Sequence, residues 1–242
     1  MVDRLINNHG GLHNRITCNI FLRPFTLGEC EQFLQWKGFS LSRYEIAECY
    51  MVFGGIPFYL DLLQPRLSLT QNIDLLLFNP SGRLYHEFSN LYAALFTNSA
   101  DYEKVIKALS NKKGGLTRTE LIGKTGLKSG SGLTTILKNL EYCGFIEKYP
   151  NYHGKRQDAY IYQLCDFFTL FYFHFLESKS TGWASIHGRA RYYSWAGLTF
   201  ERLVFAHIPQ IKYHLGIYGV GTRQYSWRNL DEKGGSQIDM VI

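Results

Sequence analysis

The sequence predicts a mainly helical fold with an α+β C-terminal part, and three observations carry that reading. Thr26 with Glu29, Ser42 with Glu45, Ser68 with Gln71 and Thr117 with Glu120 are capping boxes. In each, a hydroxyl takes one orphan backbone N–H and the later side chain reaches back to another, so four helix starts are marked. Tyr102, Val105, Ile106 and Leu109, then Leu133, Ile136, Leu137 and Leu140, recur at a spacing that gathers each set on one helical face. Strand-like alternation is found at residues 145–149 and 158–164 and again near the C-terminus, at 222–228 and 236–242.

Taken in order, residues 1–25 open on a polar, Gly-rich loop followed by a short strand at 18–22. A chain that starts in the middle of a strand-loop-strand pattern predicts that Met1 corresponds to an internal position of a longer protein. Residues 26–98 read as a small all-helical unit. Cys30, Phe33 and Leu34 line its first helix and Ile46, Cys49, Tyr50 and Phe53 its second, which stops at Gly54-Gly55. Pro57 suits the first turn of the next helix, expected over 57–64, because that position needs no N–H. Leu84, Phe88, Leu91 and Leu95 mark a longer helix.

Residues 99–177 are the clearest stretch. Three short helices are closed by Gly114-Gly115, Gly126 and Gly144. The third shows Thr134, Thr135, Lys138 and Asn139 outward, and two strands follow around a turn-rich loop, residues 150–156, tipped by Lys155 and Arg156. Three helices and a basic hairpin in that order predict a winged helix-turn-helix. The run 166–178 is apolar nearly all round and predicts a buried helix. In 178–242 a helix over 192–207 carries Glu201 in its middle, and on the last strand Ile238, Met240 and Ile242 share one face while Asp239 points to the other.

Charge sharpens the picture. Lys and Arg total 26 against 20 Asp and Glu, and the excess is concentrated. Residues 101–165 hold 11 basic and 6 acidic groups, whereas 1–100 hold 7 and 8, and 166–242 hold 8 and 6. A positive field on the three-helix unit suits phosphate contact, and a solvated basic face is the alternative. The five cysteines are odd in number and never spaced Cys-x-x-Cys, so neither a disulfide framework nor a zinc site is suggested and a reducing cytoplasm is expected. The longest apolar run, 167–176, is about half of the ~20 residues that a membrane span needs, so no membrane partner is expected.

Few residues carry chemistry. Gly123-Lys124-Thr125 imitates the end of a phosphate loop, but the position where that loop needs its first Gly is Arg118, and the segment lies inside a helix. The chain alone is therefore expected not to hydrolyse a nucleotide. Gly54-Gly55-Ile56-Pro57 makes a rigid apolar corner whose backbone could pack on a purine, or which is a plain helix-to-helix turn. The eight histidines show no metal-binding spacing. Tyr149, Tyr152 and Tyr160 either build core or stack on bases.

The words NNHGGLHNRIT, FLRPFTLGECEQFL, LSRYEIAECYMVFGGIPFYLDLL and LTQNIDLLLFNPSGRLYHEF, then FFTLFYFHFL, SWAGLTFERLVFAHI, YSWRN and QIDMVI, resemble the archaeal-type ATPase family, P-loop NTPases of the AAA+/STAND group. The resemblance covers essentially the whole chain and implies that only the part after the ATPase core is present. Residues 1–25 would then be a remnant following the sensor strand, 26–98 the helical AAA+ lid, 99–177 the winged helix and 178–242 an incomplete PD-(D/E)XK nuclease-like α/β domain. It further implies a Gly-x-Pro element that touches nucleotide, matched by Gly55-Ile56-Pro57. Arg15 is a candidate phosphate-facing or interface residue, with a surface salt bridge as its alternative. In nucleases of that fold a helical Glu and a strand Asp hold Mg²⁺, and Glu201 and Asp239 match them. The Glu-x-Lys that would follow is not in the sequence, so a competent metal site is not expected from this polypeptide, and a vestigial or real site stands beside a helix salt bridge at Glu201 and a strand-edge carboxylate at Asp239.

The expected function is the C-terminal part of an ATP-binding ATPase in which nucleotide state controls a winged helix. ATP and Mg²⁺ belong to the intact family member, and neither is expected to bind this chain tightly by itself. DNA is the candidate partner, through Thr134, Thr135, Lys138, Lys155 and Arg156, with a second copy or another protein as further candidates. The alternatives are a winged-helix DNA-binding regulator and the remnant of a Mg²⁺-dependent nuclease.

Overall fold

A computed structural model describes residues 17–18, 20–112, 114–153, 156–178, 182–222, 225–228 and 237–241; the side chains at 151–153, 156–159, 225–228 and 237–241 lie outside that description. Mainly helical architecture is what it shows, with a small three-stranded sheet and a separate two-stranded hairpin.

Helix α1 (Leu27–Trp36) and α2 (Arg43–Phe53) both start on the expected capping boxes, with Thr26 Oγ1 and Ser42 Oγ each accepting the N–H three residues on. A short α3 (Pro57–Asp61) has Pro57 in its first turn, and α4 (Leu69–Ile73) begins at the Ser68 box and runs on as a π-helical turn, Asp74–Phe78. Helix α5 (Glu87–Leu95) leads to α6 (Ser99–Ser110). Then come β1 (Leu116–Thr117), α7 (Arg118–Thr125), α8 (Ser131–Tyr142), β2 (Ile146–His153) and β3 (Arg156–Leu164). Helix α9 (Phe167–Phe171), its π-helical continuation Tyr172–Leu176, a 3-10 turn Trp183–Ser185, α10 (Ala190–Ala206), α11 (Ile208–His214), β4 (Tyr225–Arg228) and β5 (Gln237–Val241) complete the described elements.

Five expectations are corrected by the structure. The helix expected over 57–64 ends at Asp61, because the backbone turns and is fixed from the side by Asn72. That fully buried amide accepts the Gln64 N–H at 2.7 Å and donates to the carbonyls of Gln64, Leu67 and Ser68 at 3.0, 3.2 and 3.0 Å. Leu84 is buried but lies in the turn before α5 rather than in the helix. Residues 20–22 are extended yet pair with no strand among the described residues, and Ile20, Phe21 and Leu22 are exposed. The hairpin loop is narrower than 150–156: pairing continues through Pro150↔Tyr160 to His153↔Arg156, with a bulge at Asn151/Tyr152. Pro150 is tolerated because β2 is an edge strand in the order β1-β3-β2 and needs no ladder N–H on its open side. Asn139, read as an outward residue, is turned toward α6 instead, where its Nδ2 donates to the Tyr102 hydroxyl at 2.7 Å.

One buried cluster runs from Cys30 on α1 to Leu203 on α10, so the segments share a core rather than hanging on linkers. Aromatic pairs mark its joints. Phe88 on α5 stacks on Tyr172 with ring centroids 3.9 Å apart, and Phe96 stacks on Tyr102 of α6 at 3.9 Å. Phe171 and Phe175 pack with Trp183 and Trp195 at 5.0–5.5 Å, joining α9 to the 3-10 turn and α10. Rings at such separations bury large apolar area and add edge-to-face attraction, which makes these joints stiff.

Candidate functional site

Two regions stand out, a glycine corner at the end of α2 and the outer face of α7 and α8. The corner exists because α2 ends on two left-handed residues, Gly54 (φ 72°) and Gly55 (φ 68°), and the Gly54 N–H donates back to the Tyr50 carbonyl at 2.7 Å. Gly55 is also required sterically. A Cβ there would fall on the Phe25 carbonyl oxygen and lie 2.7 Å from Tyr50 Cε2. The Phe25 N–H donates to the Gly55 carbonyl at 2.8 Å, and a Cβ on Gly54 would sit 3.4 Å from Phe167 Cβ. Both glycines are therefore buried under protein groups, while Pro57 and Phe58 remain exposed.

Tyr50 is the hub behind the corner. Its ring meets Phe167 of α9 edge-on at 5.2 Å and His207 at 5.1 Å. His207 is buried, its Nδ1 lies 2.8 Å from the Leu203 carbonyl, and its Nε2 lies 2.9 Å from the Leu27 N–H. A carbonyl can only accept and an N–H can only donate, so the imidazole carries its proton on Nδ1 and accepts at Nε2. It thereby satisfies an orphan donor in the first turn of α1 from 180 residues away. Asp166 caps α9 through Thr169 N–H at 2.8 Å, and burial pushes its carboxyl up while the Thr169 hydrogen bonds oppose that. Since Cys165 N–H donates to Phe145 O at 2.9 Å, strand β3, the start of β2 and α9 are tied at one point beside the corner.

On the second region, α7 is capped by Thr117, whose N–H and hydroxyl meet Glu120 at 2.8 and 2.9 Å. The Thr117 backbone bond, followed by Lys112 at 3.0 Å, holds the Glu120 carboxyl down at about 2. Arg118 Nη2 donates to the Gly130 carbonyl at 2.9 Å, which fixes the start of α8 against α7. Thr134, Thr135 and Lys138 are exposed on α8, as are Lys124 and Lys128 on α7 and the connection after it. Thr134 Oγ1 donates to Gly130 O at 3.1 Å and Thr135 Oγ1 to Ser131 O at 2.9 Å. Lys148 on β2 places its ammonium 4.1 Å from the centre of the exposed Tyr160 ring. Burial pushes the Tyr149 hydroxyl up, and the Arg202 guanidinium of α10 works against that shift, so Tyr149 is engaged by α10.

Of the remaining residues named from sequence, Glu201 is half-buried on α10, and Asp239 lies on β5 with its side chain outside the description. Arg15 and Lys155 lie outside the described residues, and Arg156 opens β3 with its side chain likewise outside. No group of three His, Cys, Asp or Glu poised for a metal ion occurs among the described residues, and none of their helices is long and apolar enough to cross a membrane.

Sequence reasoning missed His207, Asp74 and Glu48. Asp74 accepts the Trp183 and Ala184 N–H groups, the latter at 3.1 Å, and so caps the 3-10 turn from 110 residues away. Glu48 is buried and sits 3.1 Å from His187 Nε2; burial raises its carboxyl and His187 pulls it back. No local signal could have found these partners, because each pair is brought together only by the tertiary fold. Comparison with family models, curated proteins and solved structures finds no match for this chain.

Proposed function

We propose that this chain is the lid and winged-helix part of an AAA+/STAND-type ATPase, in which the corner at Gly55-Ile56-Pro57 lies at the nucleotide and the winged helix contacts nucleic acid. The succession α6, β1, α7, α8, β2, β3 with sheet order β1-β3-β2 supports reading 99–177 as a winged helix. Exposed Ile20, Phe21 and Leu22, with Trp36 and Phe58 flanking the corner, are apolar surface of the kind that another domain covers.

The observation that carries the proposal is the contact of the corner with α9, the helix that directly follows β3. Gly54 sits against Phe167, Tyr50 packs on both Gly55 and Phe167, and Phe167 follows β3 after two residues. Close-packed rings transmit displacement rather than absorb it, so a shift of the corner on nucleotide binding moves the winged helix with it. Coding sequence continuing upstream of Met1 through G-x-x-x-x-G-K-[ST] agrees with this reading, and a stop codon directly upstream contradicts it. In the polypeptide carrying that core, ATP is expected to change DNA affinity at least about tenfold, a coupling of ~1.4 kcal/mol. Equal affinity with and without ATP refutes the coupling.

A further inference from the structure

We infer that the α7–α8 face binds B-form duplex DNA of any sequence, holding phosphates and leaving the base edges unread; this rests on the winged-helix reading above and specifies its partner. Base discrimination in a major groove relies chiefly on Arg or Lys donors to guanine and the Asn or Gln amide on adenine, and of the two cations only Arg presents its donors as a rigid fork. Residues 101–165 contain nine lysines and only two arginines, Arg118 and Arg156. The Arg118 guanidinium is committed to the Gly130 carbonyl at the start of α8, at 2.9 Å, and the Arg156 side chain lies outside the description. The two amides on α8 and just after α6 are committed as well: Asn139 donates to Tyr102 OH at 2.7 Å and Asn111 to Lys107 O at 3.0 Å.

The two threonine hydroxyls on the exposed face of α8 follow the same pattern. Thr134 and Thr135 each give their proton to a carbonyl one turn back, so what they turn outward is a methyl group and acceptor lone pairs. Neither can donate to a phosphate or to a guanine acceptor without breaking that bond.

What the face does present is positive charge without direction. Lys124 and Lys128 are exposed and form no ion pair among the described residues, and Lys138 is exposed one turn beyond the threonines. An ammonium is a point charge with rotatable donors, suited to phosphate oxygens and poor at fixing a base. The described lysines on α6 and just after it are already matched: Lys104 with Asp101, Lys107 with Glu177 and Lys112 with Glu120, at 2.9, 2.6 and 3.0 Å. Among the described lysines of this unit, the exposed ones with neither an ion pair nor a ring contact are thus Lys124 on α7 and Lys128 on its connection. A convex helix presenting such charge fits the wide major groove of B-DNA and not the deep, narrow one of A-form RNA.

Fluorescence anisotropy of the full chain tests this with an AT-rich and a GC-rich DNA duplex of about 20 base pairs and an RNA duplex of equal length, at about 50 and 200 mM salt. The two DNAs are expected to bind within about threefold of each other, and the RNA at least about tenfold more weakly. Lys124→Ala/Lys128→Ala is expected to flatten the slope of log affinity against log salt by about 2, Lys124→Arg/Lys128→Arg to keep it, and Thr134→Ala/Thr135→Ala to change affinity less than about twofold. A tenfold preference for one DNA that the threonine variant abolishes overturns the inference and leaves nucleic-acid contact standing. RNA binding as tight as DNA binding overturns the groove argument. Absence of binding to every duplex at the lower salt overturns both this inference and the nucleic-acid reading beneath it.

Discussion

Gly55→Ala is the sharpest perturbation of the corner. A left-handed residue with a Cβ costs about 1 kcal/mol from backbone geometry alone. Here the added carbon falls on the Phe25 carbonyl and against Tyr50, and neither neighbour is the free end of a flexible chain. Relief requires both moving Phe25, whose N–H to the Gly55 carbonyl at 2.8 Å contributes about 1 kcal/mol, and tilting a Tyr50 ring held by Phe167 and His207, an overpacking cost of about 1 kcal/mol or more. The expected loss is therefore about 3 kcal/mol. Gly126→Ala is the matched control, since Gly126 has the same backbone sign (φ 70°) with no atom within 4 Å of its would-be Cβ, and should lose only about 1 kcal/mol. Urea denaturation followed by far-UV circular dichroism and tryptophan fluorescence reads both variants. Equal losses, within about 0.5 kcal/mol, would refute the claim that the corner is sterically locked.

Three further outcomes follow from buried or capping groups. His207→Phe keeps a ring but strips the Leu27 N–H of its acceptor, and a loss of about 1–3 kcal/mol is expected in the same assay; no loss would remove His207 from the account. Asn72→Ala strips the Gln64 N–H and the Leu67 carbonyl of their partner and takes a second bond from the Gln64 and Ser68 carbonyls, so about 2–4 kcal/mol is expected, with faster proteolysis at residues 62–68 as the local sign. The Glu120 carboxyl is held below its ordinary value, so its stabilisation is present above pH ~4.5 and fades as pH falls toward about 2. Because the group is largely exposed, its worth is that of a cap, about 1 kcal/mol, and Glu120→Gln should cost that at pH 7 and clearly less as pH falls to about 2. A loss that persists unchanged at pH 2 would contradict the charge argument.

Much of the helical part was legible because its signals are local. All four capping boxes stand where the hydroxyl and acid spacing placed them, and the apolar faces of α6 and α8 are the buried ones. Errors arose where tertiary partners decide. Asn139 looked solvent-facing by helical phase, yet Tyr102 sits within hydrogen-bond reach of it, and α3 stopped early because Asn72 captures the chain after it. At the corner, the two glycines announced a turn, but nothing local announced that Phe25, Tyr50 and Phe167 would close over it. His207, Asp74 and Glu48 were invisible for the same reason, their partners being more than 100 residues distant.

Native-state amide hydrogen exchange of the wild-type chain and Gly55→Ala tests the coupling of the corner to β3 and α9 most directly. Exchange should rise at Phe25, Leu27 and Gly54 and, to a comparable degree, at Cys165 and through β3 and α9, because Tyr50 and Phe167 join them. An increase confined to Phe25 and the corner, with β3 and α9 unchanged, would contradict the account.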